Sequence, residues 1–168
     1  SLAALSAGWY LDHHVWTTNY TIETPKKIKD LRIVLFADSH IGTTFDTRGF
    51  AEHISEMQRQ NPDIVLIAGD FVDDGTTRQQ MIEACRALGS LQITYGVYFA
   101  FGNHDKGYHD PAARGFSGDD LMAELKKNNV KVLQDENTLI DNRFYIIGRK
   151  DFSEICLLYT SPSPRDRG

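Results

Sequence analysis

Apolar and polar positions along this chain follow two rhythms that alternate. Leu31 to Ala37, Ile64 to Ala68 and Val97 to Phe101 are short, nearly continuous apolar runs, the pattern of strands buried in a parallel sheet. Between them the spacing turns helical. Phe50, Ile54 and Met57 predict a helix from about Thr47 to Gln60, with Asp46 or Thr47 as N-cap and Asn61-Pro62 as its stop. Met81, Ile82, Cys85 and Leu88 share one face of a second helix over Thr76 to Leu88, closed by Gly89. A third helix, capped by Ser117 or Asp119, runs through Lys127 with Leu121, Met122 and Leu125 inward. Val130 to Leu133, Thr138 to Ile140 and Arg143 to Ile147 predict short strands, the last two turning at Asp141-Asn142. Ahead of all this, Thr18 to Glu23 is expected as an edge strand or extended arm, because it alternates loosely and Pro25 follows. Strand and helix in alternation make an α/β layered fold with flanking helices and a largely parallel sheet, in which Leu31 to Ala37 is the first central strand.

Composition narrows the class. At 168 residues, 41% hydrophobic and 24% charged, the chain is long and apolar enough for one domain with a core. Its net charge of −5 and the lack of a basic stripe argue against a general nucleic-acid binder. A phosphate-bearing substrate would have to be drawn in locally, by cations. The two ends stand apart. Leu2 to Leu11 is apolar but about half of the ~20 residues a membrane span needs; residues 1–29 read either as a loose N-terminal arm or as the end of a membrane segment with Trp9 and Tyr10 at the interface. Cys156 to Asp166 matches, codon for codon, the translation of a transposon-end adapter used in sequencing libraries. Residues 156–168 are therefore expected to be a non-native tail, and 30–155 the domain. On that reading Cys85 is the single native cysteine and no disulfide forms.

Each buried run ends in chemistry. Leu31 to Ala37 is followed by Asp38-Ser39-His40, Ile64 to Ala68 by Gly69-Asp70 with Asp73 and Asp74 close behind, and Val97 to Phe101 by Gly102-Asn103-His104-Asp105. In open α/β sheets, ligands gather beyond such carboxyl ends. Gly102 is expected to let the backbone turn sharply, so that Asn103, His104 and Asp105 point into a cleft. Carboxylate, imidazole and amide together suit manganese, iron or zinc better than calcium. Asp70 is placed to bridge two cations, ~3.5–4 Å apart, of the kind that activate water and clamp a phosphoryl group. His104 could protonate a leaving alkoxide or stabilise phosphoryl oxygens. One aspartate at a strand end is as readily a helix cap; it is the three sites together that point to metal. Residues 105–117, rich in Gly, Pro, His and Asp, read as a functional loop, where Lys106, Tyr108 and Arg114 could hold a phosphate or cover the cleft and His109 could lie near substrate. His53 is expected to be a surface or packing residue, and His13 and His14 to face solvent.

Asp-x-His, Gly-Asp-x-x-Asp and Gly-Asn-His-Asp, each after an apolar strand and one strand-helix unit apart, resemble the calcineurin-like metallophosphoesterase family over Leu31 to about Asp151. The resemblance implies two divalent metal ions (Mn, Fe or Zn), with Asp38 and His40 on the first, Asp70 bridging and Asn103 on the second. It also implies His104 as catalytic histidine, Asp73 and Asp105 orienting the ligands, and hydrolysis of a phosphomonoester or phosphodiester. Residues through Lys27, with Phe144 to Asp151, look most like the bacterial membrane-associated branch, which implies membrane association through the N-terminus and, for some members, lipid-linked nucleotide substrates. The family completes its metal sites with a later histidine and a Gly-His-x-His motif, whereas no histidine follows Arg149 here. The chain is accordingly expected to be an N-terminal fragment, nearly inactive alone, with exposed sheet edges. Two other classes stay open: a non-catalytic α/β binding module with a vestigial acidic cleft, and a receiver-like or haloacid-dehalogenase-like domain, which has no role for Asn103 and His104.

Overall fold

In the computed structural model, residues 6, 8, 10, 14–26, 29–107 and 113–151 are described. Strands β1 (Ile33–Phe36), β2 (Ile64–Ala68), β3 (Val97–Ala100) and β4 (Val130–Val132) lie side by side in chain order, all parallel. Helices α1 (Thr47–Arg59), α2 (Arg78–Gly89) and α3 (Gly118–Lys127) supply the crossovers. When strand order follows chain order, right-handed crossovers stack every helix on the same face. Phe50 and Ile54 of α1, Met81, Cys85 and Leu88 of α2, and Leu121 and Leu125 of α3 accordingly share one core with Val65, Ile67, Val97 and Phe99. Local chemistry sets the helix starts. The Asp46 side chain accepts from Gly49 N, while Thr77 with Gln80 and Ser117 with Asp120 form reciprocal capping boxes.

An aromatic ladder lies beneath the carboxyl ends of the strands. Phe36, Phe50, Phe71, Phe99 and Phe101 stand tilted or edge to face, with successive centroids 6.3, 5.5, 5.8 and 5.2 Å apart. The loops that carry the polar motifs thus rest on a rigid floor.

The opposite face is covered by an antiparallel hairpin, β5 (Glu136–Ile140) and β6 (Phe144–Gly148). Ile64 and Tyr98 of the sheet pack there with Leu133 and Ile140. Its turn residues Asp141 and Asn142 take φ of 50° and 53°, the left-handed values a tight hairpin demands. Arg143 fastens the hairpin by donating to Tyr95 Oη at 2.5 Å. Gly148 lets it approach, because a Cβ there would lie 2.2 Å from Leu133 Cβ.

Two expectations are corrected. Of the two readings of residues 18–23, the edge strand is the one corrected: they form no strand, Tyr20 and Ile22 are exposed, and no ladder partner among the described residues pairs with them. The run from Leu31 to Ala37 is not a central strand but the sheet edge, shortened to Ile33–Phe36. Val34 and Phe36 pack inward, whereas Ile33 and Leu35 are 50% and 65% exposed. A run of apolar residues reports that a strand can be buried, not that both faces are covered.

This asymmetry should register in stability. Phe99→Ala is expected to cost ~3–5 kcal/mol in urea unfolding, and Leu35→Ala less than ~1 kcal/mol. Equal costs would mean that the exposed face of β1 is packed in solution.

Candidate metal centre

The loops beyond β1 and β2 are zipped together through their backbones, and the loop beyond β3 is joined to them through carboxylates. Asp38 N donates to Gly69 O, His40 N to Asp70 O and Ile41 N to Phe71 O, at 3.0 to 3.1 Å. Asp38, His40 and Asp70 all have positive φ, of 54°, 40° and 51°. Aspartate and histidine enter this region more readily than most residues, yet three in one cluster persist only where their surroundings over-determine them. The result is convergence: one ligand atom each from Asp38, His40 and Asp70 lies within 4.8 Å of the other two. Donors around a single cation at ~2.0–2.2 Å would be at most ~4.4 Å apart, so small side-chain adjustments suffice and the set fits a divalent ion. His40 Nδ1 faces Asp73 Oδ2 at 3.4 Å, the kind of contact by which a carboxylate commonly orients a metal-binding imidazole. Asp73 is itself held: its N–H donates to Thr76 Oγ1 at 2.9 Å, and that buried hydroxyl donates to Ile41 O at 2.5 Å.

His104 opens a single 3-10 turn, His104–Lys106. Its N–H donates to Asp70 Oδ1 at 3.0 Å, and its ring stands edge-on to His40 with centroids 5.1 Å apart. His40 and His104 line a cleft of about 400 Å³ with Thr43, Thr44, Asp73, Asp74 and Gly75. Asn103 immediately precedes the turn, half-buried, and its side chain does not cap it.

Asp105 behaves differently from the expectation that it points into the cleft. It is fully buried under the loops. Oδ1 accepts from Phe71 N at 2.8 Å and Val72 N at 3.1 Å, and Oδ2 from Asp70 N at 3.0 Å and Gly102 N at 2.9 Å. Burial pushes this carboxyl up to about 6, opposed by the hydrogen bonds from Gly102, Val72 and Phe71. The role of Gly102 is corrected with it. Gly102 is not among the positive-φ glycines; a Cβ there would sit 2.2 Å from Asp70 Oδ1, and one on Gly69, at φ 84°, 2.5 Å from Gly102 N. Both glycines are needed so that two backbones can touch.

Other candidates fall elsewhere. Lys106 lines a second cavity of about 400 Å³ with Phe101, Ser117, Asp119, Gln134 and Lys150, and burial lowers its pKa. Arg114, expected to hold a phosphate or cover the cleft, is buried. His53 packs edge-on against Phe45, and His14 lies between Tyr10 and Trp16. His13, Tyr108 and His109 lie outside the described residues. Thr76 is what sequence reasoning missed, although the Asp73-x-x-Thr76 spacing of a side-chain-closed turn was an available signal.

A parallel sheet with this convergence at its carboxyl edge agrees with the sequence comparisons. Residues 31–160 match the family described as calcineurin-like phosphoesterases, and the chain belongs to that family. An uncharacterised metallophosphoesterase of Campylobacter jejuni is 32% identical over 117 residues, 69% of this chain and 29% of its own length. A transmembrane protein with a metallophosphoesterase domain from Danio rerio is 37% identical over 81 residues, 48% of this chain and 18% of its own. An uncharacterised metallophosphoesterase of Bacillus subtilis is 29% identical over 107 residues, 61% of this chain and 37% of its own. The chain thus spans well under half the length of each. Among the described residues no helix is long and apolar enough to cross a membrane.

Asp105 yields a pH prediction with a defined sign. Its folded pKa lies above its unfolded value, so between about pH 4 and 6 the folded state holds a proton the unfolded chain has released. Its contribution therefore falls as pH rises through that window, by on the order of 2–3 kcal/mol. Asp105→Asn should flatten this part of the stability profile and, by leaving donors unpaired, cost roughly 1–3 kcal/mol at pH 7. Denaturant titrations at pH 4, 5, 6 and 7 decide; an unchanged slope in the variant contradicts the assignment.

Proposed function

We propose that this chain carries the metal-binding half of a phosphoesterase centre that hydrolyses a phosphomonoester or phosphodiester with two divalent cations. The observation that carries the reading is the meeting of Asp38, His40 and Asp70 within 4.8 Å, with the His104 amide hydrogen-bonded to one of those carboxylates. Asp38 and His40 would hold the first ion, Asp70 both, and Asn103 the second. Bound there, the cations would supply Lewis-acid polarisation of the phosphoryl group and activation of water. The residues do the rest. Asp73 and Asp74 line the cleft while Asp38 and Asp70 meet His40 at its edge, and this crowding of negative charge would repel an anionic substrate until cations offset it. Asp73 holds His40 by its Nδ1, and an imidazole nitrogen of His104 delivers a proton to the leaving oxygen. Thr43 and Thr44 line the space a substrate would fill.

The resemblance to the membrane-associated branch, and a relative named as a transmembrane protein, support association with a membrane and a substrate such as a lipid-linked nucleotide. Manganese is the ion to try first, because the donor set mixes oxygen and nitrogen. The later histidines that the resemblance calls for are not in the sequence, so we expect the 168 residues alone to turn over little.

Two measurements test this. Calorimetric titration of the chain with Mn²⁺ should give binding that Asp70→Asn abolishes. In a longer protein that contains this sequence and the later histidine motifs, His104→Ala should lower hydrolysis of an aryl phosphodiester ~10²- to 10⁴-fold while Mn²⁺ binding stays within a few-fold. Turnover that needs no metal, or that survives His104→Ala, would sink the proposal.

A further inference from the structure

Arg114 is buried, 5% exposed, and its guanidinium is spent on the protein's own backbone. Nη1 donates to His104 O at 3.1 Å, Nη2 to Asp105 O at 2.7 Å and Nε to Phe116 O at 3.1 Å, while the guanidinium lies over the Phe116 ring at 4.2 Å. Two of those carbonyls belong to the 3-10 turn that begins at His104. Burying a guanidinium is expensive unless its donors are met and its charge is balanced. Here the planar fork matches three fixed carbonyls, and Asp74, Asp105 and Asp73 provide the opposing charge.

The turn is therefore gripped from two sides. On the β2 side Asp70 Oδ1 takes the His104 N–H, and the Asp105 carboxylate takes the amides of Asp70, Phe71 and Val72. On the other side Arg114 holds the carbonyls of His104 and Asp105. Neither grip alone fixes the direction of the imidazole, because a turn anchored at one side can still rock about it. Together they fix the backbone from which the His104 ring meets His40 at 5.1 Å.

We propose that Arg114 is a positioning residue for His104: it locks the turn so that the imidazole stays aimed at the cleft, and it does not bind the substrate's phosphate. The catalytic part of this inference rests on the phosphoesterase reading above, whereas the geometric part does not. A misplacement of about 1 Å can cost ~10²-fold in rate, so the effect should fall on turnover and spare ground-state binding.

The test has one arm that requires no activity. In the metal-free 168-residue chain, imidazole NMR signals of His104, assigned through His104→Ala, should shift or broaden in Arg114→Lys and Arg114→Ala. A single ammonium cannot reach three carbonyls, so lysine should not rescue. Phe116→Leu leaves all three carbonyls in place and exchanges the ring under the guanidinium for a smaller apolar group in the same core position; it should give a smaller change of the same kind, and it keeps the test decisive if the Arg114 variants fail to fold. In a longer, active protein containing this sequence, Arg114→Lys should lower kcat ~10- to 100-fold with KM and Mn²⁺ affinity within about twofold. His104 signals unmoved in every folded variant would overturn the inference, and so would a raised KM with unchanged kcat, which would make Arg114 a substrate contact. If the wild-type longer protein showed no turnover, the phosphoesterase reading would fail while the NMR arm still decided the role of Arg114.

Discussion

One buried carboxylate holds the loops at the carboxyl edge of this sheet together. Asp105 sits out of reach of water and accepts four backbone N–H groups, three from the loop after β2 and one from Gly102 after β3. A charge so placed is tolerated only because each oxygen has two donors, and it binds the loops because no other group there could satisfy all four. The arrangement requires that the loops touch, which is why Gly69 and Gly102 carry no side chain. It also explains how Asp38, His40 and Asp70 are kept in left-handed backbone conformations: the hydrogen bonds from the first loop to the second leave them no other.

From that pin the order of support runs outward. Phenylalanine rings from Phe36 to Phe101 form the floor, Asp105 ties the loops above it, and Thr76 fixes Asp73, which faces His40. Arg114 closes the far side of the His104 turn. None of these supporting groups lies among the three that could hold a cation. They set the distances at which those three meet, in the way that surrounding groups commonly orient metal ligands.

Much of this was legible in the sequence, for identifiable reasons. Strands β2 and β3, all three helices and the β5–β6 turn declare themselves because periodicity and capping chemistry act locally; Asp46, Ser117 and Asp141-Asn142 behave as their residue types dictate. What failed was what depends on distant chain. Ile33 and Leu35 look as buried as Ile64 and Val65, yet a strand's neighbours decide which of its faces is covered. Thr18 to Glu23 alternates like a strand but has no partner edge among the described residues to receive it. Asp105 and Arg114 were read as cleft or surface groups because charged residues usually are; their partners are backbone atoms up to 35 residues away, which no local pattern displays. Gly102 was recognised as necessary for the wrong reason, since space and not backbone angle requires it.

The claim on which the functional account turns is that the carboxyl ends of β1, β2 and β3 together create one shared site for two cations. Paramagnetic broadening of backbone amide signals by substoichiometric Mn²⁺ reads this directly, residue by residue. The account predicts that signals from residues 38–40, 69–70 and 103–104 disappear first, while those of the β5–β6 hairpin persist. Broadening spread evenly over surface carboxylates, or centred on the cavity between Lys106 and Lys150, would contradict it.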